Sequence, residues 1–147
     1  MAVTNLVLGN FKSFNSLNVK FGSFNVLIGA NASGKSNFTQ VFKFLKDIQV
    51  HGLDNAVSLQ GGVEYLRNIN IGSSEPLSLA ITYNDRYMSQ SVHSREREMG
   101  RVYVTETEYK FAIRFKKTRL SFEIVEDRLT QKGEYISRGP KRKDEES

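Results

Sequence analysis

Residues 29 to 36 read Gly-Ala-Asn-Ala-Ser-Gly-Lys-Ser, and this octet constrains the chain more than any other feature. A short apolar, β-prone run precedes it, Phe24, Asn25, Val26, Leu27 and Ile28, and a helical pattern follows it. From Ser36 onward Phe38, Val41, Phe42, Phe44, Leu45 and Ile48 recur at three- and four-residue steps, the signature of an amphipathic helix with its apolar stripe on a core. Strand, glycine-bounded loop and helix in this order form the context in which Gly, four residues, Gly-Lys-Ser binds a polyphosphate, the Walker A pattern.

Each position in the loop has a physical task. Gly29 and Gly34 permit backbone conformations that a Cβ would obstruct, so that successive N–H groups across Ala30, Asn31, Ala32 and Ser33 can turn inward on a β-phosphate, aided by the positive end of the helix. Lys35 supplies a charge for the β- and γ-phosphates, and the Ser36 hydroxyl can ligate Mg²⁺. Asn37 is placed to meet the α-phosphate. The expected nucleotide site is therefore Gly29, Ala30, Asn31, Ala32, Ser33, Gly34, Lys35, Ser36 and Asn37, with ATP and Mg²⁺ as its cofactors and Ser36 as the metal ligand.

The rest of the chain is read around this loop. A chain of 147 residues can bury one good core. Val3 to Leu8 and the alternating Leu17, Val19 and Phe21 predict two strands joined as a hairpin. Residues 51 to 76, with Gly52, Gly61, Gly62, Gly72 and Pro76, read as a turn-rich connector holding one short amphipathic piece at residues 63 to 66. Beyond Pro76, alternation at Leu77, Leu79, Ile81 and Tyr83, then Phe111, Ile113 and Phe115, then Leu120, Phe122 and Ile124 predicts an antiparallel meander with one polar face. Residues 85 to 101 lack periodicity and read as a mobile loop. The tail from Gly139 reads as disordered. The expected fold class is α/β: a P-loop NTPase lobe with a mixed sheet, one main helix after the loop and an antiparallel β-meander. Its parts are an ATP-binding lobe over residues 1–138 (loop strand and helix 24–50, connector 51–76, meander 77–138) and a tail over 139–147.

Composition excludes some chemistry. With no Cys there are no disulfides, thiol nucleophiles or thiolate metal sites. His51 and His93 lie far apart, and neither has a second ligand nearby. No apolar run approaches the roughly 18 residues of a membrane span, and the N-terminus lacks a signal-peptide pattern, so a cytoplasmic location is expected. The net charge of +5 is concentrated in residues 86–119, where Arg86, Arg95, Arg97, Arg101, Lys110, Arg114, Lys116, Lys117 and Arg119 face only Glu96, Glu98, Glu106 and Glu108. Such a stretch attracts phosphate backbones, making DNA a candidate partner, but solvated sheet faces have the same look.

The segment Asn10-Phe11-Lys12-Ser13-Phe14, the strand to Phe21 and the run Asn25 to Phe38 together resemble the N-terminal part of ABC-class ATPases of the SMC, RecF and OLD kind. Asn31-Ala32-Ser33-Gly34-Lys35-Ser36-Asn37 is worded as in that group. Gly61 to Asn68 and the strand Leu77 to Tyr83 resemble the same region of bacterial AAA-type ATPases. The likeness covers residues 3 to 85, most strongly through 45. It implies that Lys12 and Ser13 stand near the phosphates or ribose; their alternative role is a hairpin turn. It also implies that hydrolysis requires an apolar strand ending in Asp-Glu and a signature loop that completes a partner's site across a head-to-head homodimer. Ser121 to Asp127 ends in acids but alternates in polarity and reverses the required order, and Leu59 to Val63 lacks the signature Ser and reads as a turn. No catalytic residue is assigned: the expectation is a lobe that binds ATP, whose C-terminal ATPase half lies elsewhere, in a parent that couples hydrolysis to DNA maintenance or defence. The alternative is a non-hydrolysing, nucleotide-switched module that contacts DNA or a protein.

Overall fold

The alternating apolar residues assemble into one antiparallel sheet with helices against one face. The computed structural model describes residues 2–95, 97–116 and 121–137. The chain order is β1 (Ala2–Phe11), β2 (Phe14–Lys20), α1 (Lys35–His51), α2 (Leu53–Leu59), α3 (Val63–Leu66), β3 (Leu77–Ser94), β4 (Arg97–Lys116) and β5 (Ser121–Ser137). The sheet has five strands in the order β2-β1-β3-β4-β5. Its register aligns the apolar sets: Leu6 opposite Ile81, Leu8 opposite Leu79, Leu79 opposite Phe111 and Leu77 opposite Ile113. With a side-chain period of two, these residues share one face, and all are buried.

Helix α1 closes that face. Val41 and Phe44 are fully buried, and the Phe44 ring lies 6.2 Å from Phe11. Toward the β2 edge, Phe21, Phe38 and Phe42 stack in tilted and edge-on pairs at 5.7 to 6.3 Å. These separations suit the ring quadrupoles and bind the start of the helix to the end of β2. Helices α2 and α3 add Ala56, Val57, Val63 and Leu66 to the core.

The predicted hairpin of the first two strands, the long helix and the meander are all present. Three expectations need correction. The sheet is not mixed: every strand pairing among the described residues is antiparallel. The run 24–28 forms no strand; it is extended but unpaired, and Phe24, Val26, Leu27 and Ile28 are 84%, 66%, 51% and 85% exposed. Its residues have the β propensity of a buried strand, but a strand needs a hydrogen-bonded neighbour, and no described strand pairs with it. Residues 85–101 are not a loop: β3 and β4 continue as a hairpin, with Met88 opposite Val104 and Ser94 opposite Arg97. A bulge between Asn84 and Met88 breaks the alternation there, which is why the sequence shows no period through it. The connector also contains α2, whose seven residues are too few for an amphipathic pattern to stand out. The tail from 139 lies outside the described residues.

The arm made by the distal halves of β3, β4 and β5 is exposed on most of its surface. Lys132 on this arm pairs with Glu106 at 2.6 Å; nearer the core, Arg114 and Lys116 pair with Glu123 at 3.3 and 3.2 Å and Lys110 with Glu108 at 3.3 Å. Glu123, flanked first by Lys116 and then by Arg114, has its carboxyl held below the usual range. This residue lies in the acid-ended segment 121–127, and its partners are the cations of β4.

Candidate phosphate-binding loop

The loop leaves the extended run at Gly29 and enters α1 at Lys35. A Cβ on Gly29 would meet the Ser33 hydroxyl at 2.7 Å, so the two ends of the loop approach more closely than another side chain would allow. Ser33 N–H donates to the Ala30 carbonyl at 3.3 Å, closing a turn. Ala32 at φ 62° and Gly34 at φ 93° alternate with neighbours outside the positive-φ region, an alternation that can gather N–H groups into a concavity. A left-handed alanine is uncommon and is held by its surroundings.

Gly34 is the N-cap of α1, and no side chain caps the helix. Its first-turn N–H groups, on Lys35, Ser36 and Asn37, have no intrahelical partner by the geometry of a helix start. Those residues, with Asn31, Ala32, Ser33 and Gly34, line a concavity of ≈ 390 Å³. Uncapped amides, the positive helix end and left-handed loop residues together suit an anion such as a phosphate. The first turn contains no acidic residue to oppose one.

Lys35 folds back over the loop, donating from Nζ to the carbonyls of Gly29 at 2.7 Å and Ala30 at 2.6 Å. The ammonium thus rests on carbonyls at the start of the loop, acceptors that a phosphate oxygen would replace. The Ser36 hydroxyl is on the same turn. Among the described residues no group of three or more His, Asp or Glu could hold a metal ion. Mg²⁺ here would rely on Ser36 and on oxygens of the nucleotide, a division this ion accepts because it binds with few protein ligands.

The two residues from the β1–β2 turn behave differently. Ser13 reaches the loop: Asn37 Nδ2 donates to its hydroxyl at 2.9 Å, and a Cβ on Gly34 would lie 3.1 Å from that oxygen and 3.5 Å from the Phe14 ring. Lys12 lies farther along the helix. Its Nζ is 6.0 Å from the centre of the Phe11 ring, and its pKa is lowered by burial and then by Lys43, two turns beyond Lys35. Its own N–H donates to the Leu66 carbonyl at 2.7 Å, and its φ is 48°.

Composition and periodicity do not single out Asn10 and Phe14, which support this arrangement. Asn10 is 1% exposed at φ 50°; its Nδ2 donates to the carbonyls of Gly72 at 3.0 Å and Glu75 at 2.7 Å, and its Oδ1 accepts from Asn68 N–H at 2.8 Å. The one sequence signal was a polar residue ending an apolar strand, where a buried amide is informative. Through these bonds the connector is fastened to the end of β1, and with it the turn that meets the loop.

An extended apolar groove of ≈ 730 Å³ runs beside the loop, between β2 and the unpaired run, lined by Leu17, Val19, Phe21, Phe24, Val26 and Phe38 among others. No helix among the described residues is long and apolar enough to cross a membrane.

A glycine loop leading into a helix, packed against an antiparallel sheet, is consistent with an ATPase domain. The profile of the AAA ATPase domain family matches residues 1–145, and the chain belongs to that family. A search among curated proteins finds no match.

Proposed function

We propose that the chain is an ATP- and Mg²⁺-binding lobe of an SMC/RecF-like P-loop ATPase, with Gly29 to Asn37 as its phosphate cradle. The observation that carries this reading is the uncapped first turn of α1 opening on a concavity lined by residues 31–37, among them Lys35, whose ammonium rests on the Gly29 and Ala30 carbonyls. Lys35 would exchange its two carbonyl acceptors for the β- and γ-phosphates, and Ser36 would hold Mg²⁺ bridging those phosphates. Hydrolysis would need acidic residues from a second ATPase segment. The exposed run 24–28 and the groove beside it support docking of such a segment there, as a neighbouring strand. The parent would then couple ATP hydrolysis to DNA maintenance or defence.

Thermal denaturation with and without millimolar Mg²⁺-ATP tests nucleotide binding. Ligand at 100 times its dissociation constant adds about 2.7 kcal/mol of stability, which Lys35→Ala should abolish. No shift in the unsubstituted protein would refute the reading.

The second reading is a nucleotide-switched module that grips a partner through the arm. Exposed Met99, Tyr135 and Ile136 favour a protein partner. Phosphate contacts would have to displace the carboxylates already paired with Lys132, Arg114 and Lys116. A steep fall of DNA affinity with salt would support DNA instead.

A further inference from the structure

We infer that Ser13 is a positioning residue of the phosphate cradle, acting through Asn37; this rests on the nucleotide reading above. Asn37 is the third residue of α1 after its cap, Gly34. From that position a side-chain oxygen can fold back on the N–H of the cap residue, a donor beside those that an anion needs. Ser13 prevents this by taking the Asn37 amide sideways at 2.9 Å. No side chain caps the helix, and the first-turn N–H groups remain available to the concavity.

The hydroxyl is held firmly enough to do this. The turn carrying it is fastened on one side by Lys12 N–H to Leu66 and by the three bonds of Asn10. On the other side, Ser13 Oγ and the Phe14 ring stand 3.1 and 3.5 Å from where a Cβ on Gly34 would be. The turn therefore abuts the loop's exit glycine, behind the residues that line the cradle.

Calorimetric titration of Mg²⁺-ATP into the unsubstituted chain, Ser13→Ala, Ser13→Thr, Asn37→Ala and the Ser13→Ala/Asn37→Ala pair tests the assignment. Losing one orienting hydrogen bond should weaken binding about three- to tenfold in Ser13→Ala, and Ser13→Thr should restore it. In the Asn37→Ala background, removing Ser13 should have no further effect, and the ligand-free thermal midpoint of Ser13→Ala should not fall. A nuclear magnetic resonance spectrum without nucleotide should show the Asn37 side-chain NH₂ signals moved by Ser13→Ala and left in place by Ser13→Thr. Unaltered ATP affinity in Ser13→Ala, or an equal loss in both backgrounds, overturns the positioning role alone. Absence of ATP binding by the unsubstituted chain, with those NH₂ signals still moved by Ser13→Ala, overturns the nucleotide reading and the role with it.

Discussion

Replacing Asn10 by Ala tests whether the buried amide fastens the connector to the sheet. The substitution removes three hydrogen bonds, to Gly72, Glu75 and Asn68, at a residue 1% exposed. At about 1 kcal/mol net for each, that is a loss of about 3 kcal/mol. The φ of 50° adds about 1 kcal/mol for an alanine forced into the left-handed region. The expected total is about 3–4 kcal/mol, or roughly 6–15 °C in melting midpoint for a domain of this size. Urea unfolding followed by far-ultraviolet circular dichroism measures it. Asn10→Gly separates the contributions: it loses the same bonds but adopts the backbone freely. Its loss should be smaller by at most about 0.5 kcal/mol once glycine's greater unfolded-state freedom is counted. Asn10→Asp keeps the acceptor for Asn68 N–H but turns a carboxylate on the Gly72 and Glu75 carbonyls, so it should be the least stable of the three at neutral pH and recover on acidification. A loss below about 1 kcal/mol in Asn10→Ala would refute the reasoning, since it would mean that water satisfies all three groups.

Other consequences concern the sheet. Burial first, and then Asp127, pushes the Tyr109 phenol up to about 12 from 10.0. Because the folded value is raised, its contribution to stability is complete below the unfolded pKa and is lost as pH rises from about 10 through about 12. Tyrosinate absorbance should lose a late-titrating phenol in Tyr109→Phe and show it shifted toward 10 in Asp127→Asn, while Tyr83, raised by its own burial, still titrates late in both. Gly133→Ala would set a Cβ 2.6 Å from the Tyr103 carbonyl oxygen, a backbone atom that cannot swing aside. It should cost about 1–3 kcal/mol and speed hydrogen exchange in β5 beyond residue 133, and unchanged exchange there would contradict the close packing of β4 and β5.

What the sequence made legible follows from the range of the forces involved. Helix α1 and strands β1 and β2 were readable because their apolar periods are strong and their pairing is local. The meander's core registers, such as Leu79 opposite Phe111, were likewise implied by alternation. The arm was not readable, because bulges at Asn84 to Met88 and at Thr105 shift the side-chain phase, and most of its residues are solvated on both faces. Composition misled at Phe24 to Ile28: β propensity reports a fit to a half-buried surface, and the partner that would create that surface is not among the described strands. At the loop, spacing identified the cradle residues, but the Ser13–Asn37 bond and the Asn10 fastening join residues 24 and 58 to 65 positions apart, which no local pattern encodes.

The unpaired run 24–28 has a further consequence, for how the protein behaves in concentrated solution. From Phe21 to Gly34 the chain contains no charged residue, and the amide of Asn25 is folded back on the N–H and carbonyl of Gly22 at 2.9 and 3.0 Å. An apolar, β-prone segment with open backbone groups and no gatekeeping charge is a template for edge-to-edge self-association. Solubility of the isolated chain should therefore depend on that one stretch. A single lysine at Val26 should raise the concentration at which aggregates form, and so should any strand that covers the run.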